Sequence, residues 1–334
     1  MATTQNQTAK KALVLGISGN FGSAMARALH NSGWQVTALL RDPGKAPEWL
    51  AAENCIEGDA EDESLLSEIA LDMDLLVYGV NPPYHRWSEL AEKMLEPSIR
   101  VAERFGLTLL FPGNIYNFAP RDALINEDTT MAPPTEKGRI RVAMEKRLKL
   151  ASQQGAKVII IRAGDFITDK PVEPNQAATQ DSTWFSQIVS YKSGRLKLKL
   201  PHNSQHRHYW SYLPDLCANT ATLLHQIHTE ATAGLASSNW LVMHDPGLVI
   251  DKADWLEACH QLGIPVRTKS FPWWLISMMS LVSPLLREVN QMRYLWQQPV
   301  IADGQQFRTL LGDNFQSTTL TKILQQKLKL LGKE

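Results

Sequence analysis

Three glycines near the start of the chain have the spacing of a phosphate-binding turn. Gly16, Gly19 and Gly22 lie between an apolar run over residues 12–15 and a helix-like stretch over residues 23–29. A strand that ends in glycines and leads into a helix presents free backbone N–H groups and the positive end of the helix dipole to a pyrophosphate. The sequence therefore predicts a dinucleotide-binding turn, to which we assign Gly16, Ser18, Gly19, Asn20, Phe21 and Gly22.

The next predicted strand, residues 34–40, is followed by basic residues that bear on the choice of dinucleotide. Arg41 comes directly after the strand, and Lys45 lies in the same loop. An acidic residue at this strand end accepts hydrogen bonds from the ribose 2′-hydroxyl of NAD, whereas an Arg suits the 2′-phosphate of NADP. We therefore predict that Arg41 and Lys45 favour NADP(H). NAD(H) stays possible, because the carboxylate of Asp42 could also reach a 2′-hydroxyl.

The elements that must position these residues alternate along the first half of the chain, as a parallel sheet requires. The strand-like runs are residues 12–15, 34–40, 54–57, 74–80, 107–111 and 158–162. Because these runs are continuously apolar, we expect strands covered on both faces. The predicted fold class is α/β, a doubly wound parallel sheet (Rossmann) with a smaller C-terminal substrate lobe. We predict a disordered N-terminus (1–10), an NAD(P)-binding Rossmann domain (11–165) and a substrate lobe interleaved with late sheet elements (166–334).

Four landmarks occur in the order typical of one protein family. They are Gly16-Ile17-Ser18-Gly19-Asn20-Phe21-Gly22, the Gly58-Asp59 turn, Asn114-Ile115-Tyr116 after the fifth strand, and Tyr212-Leu213-Pro214-Asp215 before a later helix. With them the chain resembles the extended or atypical short-chain dehydrogenase/reductases, the NAD-dependent epimerase/dehydratase group, over about residues 11 to 260. The resemblance implies that Asp59 lies near the adenine ring. It also implies that Asn81 and Pro82 border the ribose and nicotinamide side of the cofactor.

The chain departs from this family where the family carries its chemistry. Members have a Ser or Thr before the Tyr116 segment and a Tyr-x-x-x-Lys pair on the following helix, and the Tyr moves the proton while nicotinamide moves the hydride. Counted from Tyr116, these positions fall on Pro112, Lys137 and Arg141, and Glu145 matches a Glu common in the family. Proline has no hydroxyl, and an arginine stays protonated and cannot relay a proton.

Three interpretations of this substitution are open. In the first, Lys137 acts as acid and base after burial or a neighbouring cation such as Arg141 lowers its pKa. In the second, Tyr116, Asn114 or a residue of the substrate lobe supplies the proton. In the third there is no turnover, and the chain is a noncatalytic NADP(H)-sensing or interaction protein. The candidate catalytic residues are therefore Lys137, Tyr116, Asn114 and Arg141, in an NADP(H)-binding oxidoreductase or epimerase-like enzyme.

Composition limits the binding partners and the cellular location that we expect for the protein. Lys plus Arg and Asp plus Glu each number 34, so the formal net charge is zero and we expect no nucleic-acid partner. The cysteines number 3 and are widely spaced, and the polar first ten residues do not resemble a signal peptide, so we expect a cytoplasmic protein. His202, His206 and His208 lie in a polar stretch without a nearby cysteine, and we predict no metal site.

The stretch Phe271 to Leu286 carries no charge. It is shorter than the ~20 residues of a spanning helix and contains Pro284, so we predict no transmembrane span. A buried helix that caps an apolar pocket, a dimer contact or an interfacial anchor would each fit, and we favour the buried helix. Trp and Met residues over 271–296 suggest an apolar or aromatic small-molecule substrate. The family resemblance also implies a possible homodimer through helices 87–105 and 138–153.

Overall fold

The computed structural model describes residues 9–120, 124–170, 183–192, 194–201, 206–228, 238–298 and 300–329. Its strands are β1 (Lys11–Leu15), β2 (Gln35–Leu40), β3 (Cys55–Glu57), β4 (Leu75–Tyr78), β5 (Thr108–Asn114), β6 (Lys157–Ala163), β7 (Asp165–Ile167), β8 (Val189–Lys192), β9 (Arg195–Leu200), β10 (His208–Tyr212), β11 (Trp240–His244), β12 (Leu248–Ile250) and β13 (Val266–Ser270). Its helices are α1 (Asn20–Asn31), α2 (Glu63–Ala70), α3 (Trp87–Phe105), α4 (Glu136–Gln153), α5 (Trp184–Ile188), α6 (Leu213–His228), α7 (Lys252–Gln261), α8 (Trp273–Met279), α9 (Pro284–Gln291), α10 (Tyr294–Gln297), α11 (Gln305–Leu311) and α12 (Leu320–Lys329).

The central sheet has seven strands in the order β11-β6-β5-β4-β1-β2-β3. Every neighbouring pair in it is parallel. The order reverses between β1 and β4, and a crevice for ligands forms beyond the carboxyl ends of the strands at such a point. The predicted doubly wound Rossmann sheet is confirmed, and the crevice lies where the predicted glycine turn follows β1.

The two faces of this sheet bury separate apolar cores, because successive side chains of a strand point to opposite sides. Val14 of β1 packs in the same core as Met25 of α1. Leu13 and Leu15 belong to the opposite core, together with Ile99 of α3. The continuous apolar run that predicted β1 is therefore explained by helices on both faces.

Two three-stranded sheets follow in the C-terminal part, in the orders β12-β10-β7 and β13-β9-β8. They enclose a third core that includes Trp210, Trp255 and Trp296. Between β10 and β12 in sequence, β11 returns to the central sheet and pairs with β6. The division of the chain after residue 165 stays a prediction.

Lys10 is the last residue of the segment predicted to be disordered, and it is held by the fold. Its Nζ atom lies 2.8 Å from Asp74 Oδ1, and its carbonyl accepts a hydrogen bond from the backbone of Gln35. Residues 1–8 of the predicted disordered segment lie outside the described residues.

The apolar stretch over residues 271–286 does not form the single buried helix that we favoured. It forms α8 and the start of α9, and Pro284 begins the second helix. Trp273 is buried, but Trp274, Leu281 and Val282 expose 68%, 79% and 84% of their surface. The two short helices bury few of their side chains in the core. The prediction of a buried helix that caps a pocket is therefore wrong for most of the stretch. None of the helices that the structure describes has the length and apolar character needed to cross a membrane.

Candidate functional site

The glycine turn after β1 is closed by backbone contacts that leave no space for side chains. Gly16 has φ of +73°, and a Cβ atom on it would lie 2.5 Å from the carbonyl oxygen of Gly79. A Cβ atom on Gly22 would lie 2.2 Å from the carbonyl oxygen of Gly16. The backbone N–H of Gly19 donates to that same carbonyl at 2.9 Å. Gly79, at the end of β4, is thus a fourth glycine of the turn, which sequence reasoning missed.

Helix α1 begins directly after this turn with its first N–H groups directed to the crevice. Gly19 is the N-cap residue, and no side chain caps the helix there. Ser18 is exposed next to it, whereas Phe21 is buried and stacks on Phe166 at a ring distance of 6.5 Å. Free N–H groups and the helix dipole suit a pyrophosphate at this end. Of the predicted residues, Phe21 and Gly22 are buried, Gly16 and Asn20 are half-buried, and Ser18 and Gly19 are exposed.

A lysine that follows β7 in the chain adds a positive charge at the start of α1. Lys170 donates from Nζ to Oδ1 of Asn20, the first residue of α1, at 3.1 Å. The backbone carbonyl of Lys170 in turn accepts from Nζ of Lys327 in α12. Sequence reasoning missed Lys170, because nothing in its local pattern indicates that it returns to the glycine turn.

The loop after β2 presents Arg41 as an exposed side chain. The carboxylate of Asp42, which could also bind a ribose hydroxyl, instead has its partners within the loop. Its Oδ1 accepts from the backbone N–H of Gly44 at 3.1 Å, and its Oδ2 lies 3.4 Å from Lys45 Nζ. The carboxylate thus caps its own turn, and the Arg41 side chain is exposed beside it.

The remaining predicted cofactor residues follow β3 and β4 at the same edge of the sheet. Asp59 is exposed after β3, and its Oδ1 accepts from the backbone N–H of Glu61 at 3.0 Å. Asn81 is exposed and Pro82 is buried in the segment after β4. The indole of Trp87 donates to the Pro82 carbonyl at 3.2 Å, which fixes that segment over α3.

Lys137 lies in the first turn of α4, next to the rings of Tyr84 and Trp87 and the carboxylate of Glu288. Its side chain is 2% exposed, and its Nζ atom donates to the carbonyl of Tyr84 and lies 3.2 Å from Oε2 of Glu288. The same atom lies 3.9 Å from the ring centre of Tyr84 and 4.9 Å from that of Trp87. Burial lowers the pKa of Lys137 below its ordinary value, and the Glu288 carboxylate opposes this shift. Burial, and not a neighbouring cation, is the cause of the lowered pKa.

Arg141 lies one turn further along α4 and is also buried. Its Nη2 atom donates to the carbonyl of Pro112, and its guanidinium lies 4.6 Å from the ring centre of Phe111 and 5.7 Å from that of Trp87. The structure therefore brings together Pro112, Lys137 and Arg141, with both cations against Trp87. Arg141 holds β5 and α4 together through the Pro112 carbonyl.

Tyr116 and Asn114 complete the cluster from the end of β5. The hydroxyl groups of Tyr116 and Tyr84 share a hydrogen bond, and burial raises the pKa of both phenols. Asn114 accepts from the backbone N–H of Tyr116 at 3.0 Å, so its side chain shapes the turn after β5. A phenol with a raised pKa gives up its proton reluctantly. For the two cations of the cluster, Lys137 and Arg141, burial instead lowers the pKa.

Two partners of Lys137 were not expected from the sequence. Tyr84 lies in a short turn after β4, and Glu288 lies in α9, far along the chain. The turn was foreseeable as part of the crevice, because it follows the strand next to β1. Nothing in the sequence indicates that Glu288 returns to α4.

Of the three histidines considered as metal ligands, His208 has other partners. His208 lies 2.7 Å from Asp165 through Nε2 and 3.2 Å from the carbonyl of Leu295 through Nδ1, and its ring stacks on Trp296 at 3.4 Å. His202 lies outside the described residues. Within the part of the chain that the structure describes, no three His, Cys, Asp or Glu side chains are grouped so that they could hold a metal.

The comparisons with known proteins agree with this architecture. No curated protein matches the chain. L-threonine dehydrogenase from Clostridium difficile is similar in structure, with 18% identity, 97% of this chain and 98% of that chain covered, and a TM-score of 0.69. MoeE5 in complex with UDP-glucuronic acid and NAD has 15% identity, 96% and 98% coverage and a TM-score of 0.66. L-threonine dehydrogenase from Phytophthora infestans has 15% identity, 96% and 99% coverage and a TM-score of 0.68.

These structural likenesses, at such low identity, concern the fold. The sequence comparison reaches further, since the model of the NAD dependent epimerase/dehydratase family matches residues 12–233. That range contains β1 without Lys11, then β2 to β10, the glycine turn and the Lys137 cluster except for Glu288. NAD(H) binding and NAD(P)-dependent oxidoreductase or epimerase chemistry are what this match supports. The chain belongs to the NAD dependent epimerase/dehydratase family.

Proposed function

We propose that the chain is an NADP(H)-binding oxidoreductase or epimerase-like enzyme of the atypical short-chain dehydrogenase/reductase type, in which Lys137 exchanges the proton. The observation that carries the proposal is the burial of the Lys137 amine between Tyr84 and Glu288, at the position where the family has its acid. The cofactor, when bound, supplies hydride transfer at its nicotinamide. The chain's own residues hold that cofactor and move the proton.

The amine of Lys137 has a donor left for a substrate. A protonated lysine carries three N–H donors, and here the Tyr84 carbonyl and the Glu288 carboxylate accept from Nζ. In a reduction, an N–H bond of Lys137 breaks and an O–H bond forms on the substrate oxygen while the attached carbon gains the hydride. Lys137 is left neutral and is protonated again from solvent. In the oxidative direction the neutral amine takes the proton from the substrate hydroxyl.

The cofactor residues in this proposal follow the sheet edge. Gly16, Ser18, Gly19, Asn20, Phe21 and Gly22 form the pyrophosphate turn, and Lys170 adds a cation to it. Arg41 and Lys45 receive the 2′-phosphate, and Asp59 lies toward the adenine. Asn81 and Pro82 border the ribose and nicotinamide. The preference for NADP(H) rests on the exposed Arg41 and on the engagement of Asp42 within its own loop.

The substrate is proposed to be a small molecule with a carbonyl or hydroxyl group. Aromatic rings surround the Lys137 amine, among them Tyr84 and Trp87, which favours an apolar or aromatic substrate. The similar structures widen the set worth testing to nucleotide sugars, as in MoeE5, and L-threonine. A homodimer through α3 and α4 belongs to the same proposal. The free cysteines among the described residues agree with a cytoplasmic location.

A noncatalytic NADP(H)-sensing or interaction protein is the second candidate. The observation that favours it is that both cations of the cluster already have partners. Arg141 is bound to the Pro112 carbonyl, and Lys137 is almost fully buried by Tyr84 and Glu288. In this function NADPH binds without substrate-dependent oxidation.

Replacing Lys137 with methionine separates the two functions. Methionine fills a similar space but carries no proton, so we expect kcat to fall by about 10² to 10⁴, the usual contribution of a positioned acid or base. NADPH binding is expected to stay within about twofold, because Lys137 does not belong to the phosphate site. The measurement is NADPH oxidation by absorbance with a panel of nucleotide sugars, L-threonine-derived ketones and aromatic carbonyls.

Two further variants control this result. Lys146→Met changes an exposed lysine of the same helix and is expected to leave kcat unchanged. Glu288→Gln removes the carboxylate that opposes the lowering of the Lys137 pKa. Reduction needs protonated Lys137, so its rate falls as pH rises through that pKa, and Glu288→Gln is expected to move this fall to lower pH. An active protein whose kcat survives Lys137→Met excludes the lysine mechanism, and stabilisation by NADPH without any turnover favours the sensor.

Replacing Arg41 with alanine tests the choice of cofactor. A hydrogen-bonded guanidinium favours a phosphate over a hydroxyl, so its loss is expected to reduce the preference for NADP(H) over NAD(H) by at least about tenfold, or about 1.4 kcal/mol. The measurement is the Kd of each dinucleotide by calorimetry. Arg104→Ala, which removes an exposed guanidinium from α3, is the matched control. An unchanged ratio of the two Kd values in Arg41→Ala would exclude Arg41 from the 2′-phosphate site.

A further inference from the structure

One face of the small sheet β13-β9-β8 carries six cations. In β9, Leu196, Leu198 and Leu200 are buried in the third core, and the residues between them point to the other side. The register places Lys192 opposite Arg195, Arg267 opposite Lys197, and Lys269 opposite Lys199. The members of this basic face are Lys192, Arg195, Lys197, Lys199, Arg267 and Lys269.

No carboxylate balances the basic face from within the sheet. The three strands read Val-Ser-Tyr-Lys, Arg-Leu-Lys-Leu-Lys-Leu and Val-Arg-Thr-Lys-Ser. Among the described residues, none of the six cations forms an ion pair, and all but Lys197 are exposed. Like charges placed opposite each other on neighbouring strands destabilise a sheet. The chain is neutral as a whole, so this concentration of positive charge is local.

An apolar surface begins where the basic face ends. Strand β13 leads through Phe271 into α8 and α9, whose exposed side chains form what we call the apolar corner. Its members are Trp274, Leu275, Met278, Met279, Leu281, Val282 and Leu285. From residue 266 to residue 287 the chain contains Arg267, Lys269 and Arg287 but no carboxylate.

Two hydrogen bonds fix the apolar corner to the end of the basic strands. The backbone N–H of Phe271 donates to the carbonyl of Leu200 at 3.1 Å. The indole of Trp273 donates to the carbonyl of Pro201 at 2.6 Å. The corner is therefore held beside the end of β9, with Lys199 and Lys269 adjacent to it.

We propose that the apolar corner and the basic face together dock on the surface of a lipid bilayer that contains anionic lipids. The exposed Trp, Met, Leu and Val side chains enter the boundary between headgroups and acyl chains, as an apolar element with a tryptophan does. The cations bind the anionic headgroups, to which each basic residue near the surface is attracted. The chain lies on the membrane and does not cross it.

The charge pattern favours a lipid surface over the other occupants of such a patch. A second copy that used the same patch would place the two basic faces close together, since a twofold interface repeats the same surface. A nucleic acid would attract the cations, but Leu, Val and Met side chains do not stack on bases as the aromatic platforms of single-strand binders do. An anionic bilayer offers both negative charge and an apolar interior.

The test is sedimentation of the full-length protein with vesicles of phosphatidylcholine alone or with 40% phosphatidylglycerol. Trp274→Ser, Leu281→Ser and Val282→Ser combined remove the apolar contact, and Lys197→Gln, Lys199→Gln and Lys269→Gln combined reduce the charge. Leu71→Ser with Leu150→Ser is the matched control, because both leucines are exposed elsewhere. We expect the unaltered protein to bind the anionic vesicles in a salt-sensitive way and at least tenfold more tightly than the neutral ones.

Each of the two triple variants is expected to lose at least tenfold in vesicle affinity, while the control binds like the unaltered protein. The proposal is overturned if anionic vesicles do not bind, or if the apolar variant binds them unchanged. It is also overturned if light scattering finds a dimer that the apolar variant abolishes, or if the basic face binds RNA more tightly than vesicles. The NADPH affinity of all these variants is expected to stay unchanged, so the result is independent of the proposed enzymatic function.

Discussion

Replacing Gly16 with alanine is expected to weaken NADPH binding at least about a hundredfold, which corresponds to about 2.7 kcal/mol. The new Cβ atom would lie 2.5 Å from the Gly79 carbonyl oxygen, and φ of +73° is itself unfavourable for alanine. The turn must move to relieve this contact, and its N–H groups then no longer converge on the pyrophosphate. Calorimetric titration with NADPH measures the loss, and urea unfolding measures the accompanying cost in stability.

Gly304→Ala is the control that separates loss of binding from loss of stability. Gly304 precedes α11, has φ of +57°, and a Cβ atom on it would lie 2.4 Å from backbone atoms of Pro246. The strain is therefore of the same kind and size but lies away from the glycine turn. We expect both variants to be destabilised and Gly304→Ala alone to keep NADPH affinity. Equal affinity in the two variants would show that the turn after β1 does not hold the cofactor.

The sheet was predictable from the sequence because its strands are buried on both faces. A run such as residues 12–15 has no polar position at all, which is typical of a strand in a parallel sheet covered by helices on both faces. The glycine turn was predictable for a similar reason, since Gly16 and Gly22 occupy places where the backbone leaves no room for a side chain. These signals are local, and the fold follows from their order.

The surroundings of Lys137 were not predictable in the same way. The family resemblance predicts that Lys137 takes the acid position, but burial lowers the pKa of this lysine and the Glu288 carboxylate from α9 opposes that shift. Contacts between residues far apart in the chain leave no periodic pattern. The same holds for Lys170, which reaches Asn20 at the start of α1.

For the apolar stretch after β13, the sequence predicted burial that the structure does not show. Its composition indicated burial, since apolar runs of intermediate length are commonly core helices. Among the described residues, no element covers the outer side of α8 and α9, and Leu281 and Val282 are exposed. An apolar composition indicates that a segment is shielded from water, but it does not identify the surface that shields it. A partner outside the chain, such as a lipid surface, produces the same sequence signal as an internal core.

Replacing Glu145 with leucine is expected to destabilise the fold by about 3 to 5 kcal/mol, the cost of removing one partner of a buried ion pair. Its Oε2 lies 2.6 Å from Arg162 Nη2, and its Oε1 accepts from Asn117 at 2.8 Å. The side chains of Glu145 and Arg162 are 1% and 5% exposed, so the guanidinium has no access to water once the carboxylate is gone. Urea unfolding, followed by tryptophan fluorescence, measures the loss.

The double variant Glu145→Leu with Arg162→Met decides whether charge or packing is responsible. If the cost comes from an unpaired buried guanidinium, removing that guanidinium as well should restore most of the stability, because apolar side chains of similar volume often replace a buried ion pair without loss. Glu89→Gln, in the exposed pair with Arg86, is expected to leave the unfolding midpoint unchanged. A double variant as unstable as Glu145→Leu would instead assign the loss to packing between α4 and β6. In that case the Glu145 that matches the family fixes the α4 register, and so the place of Lys137, by shape and not by charge.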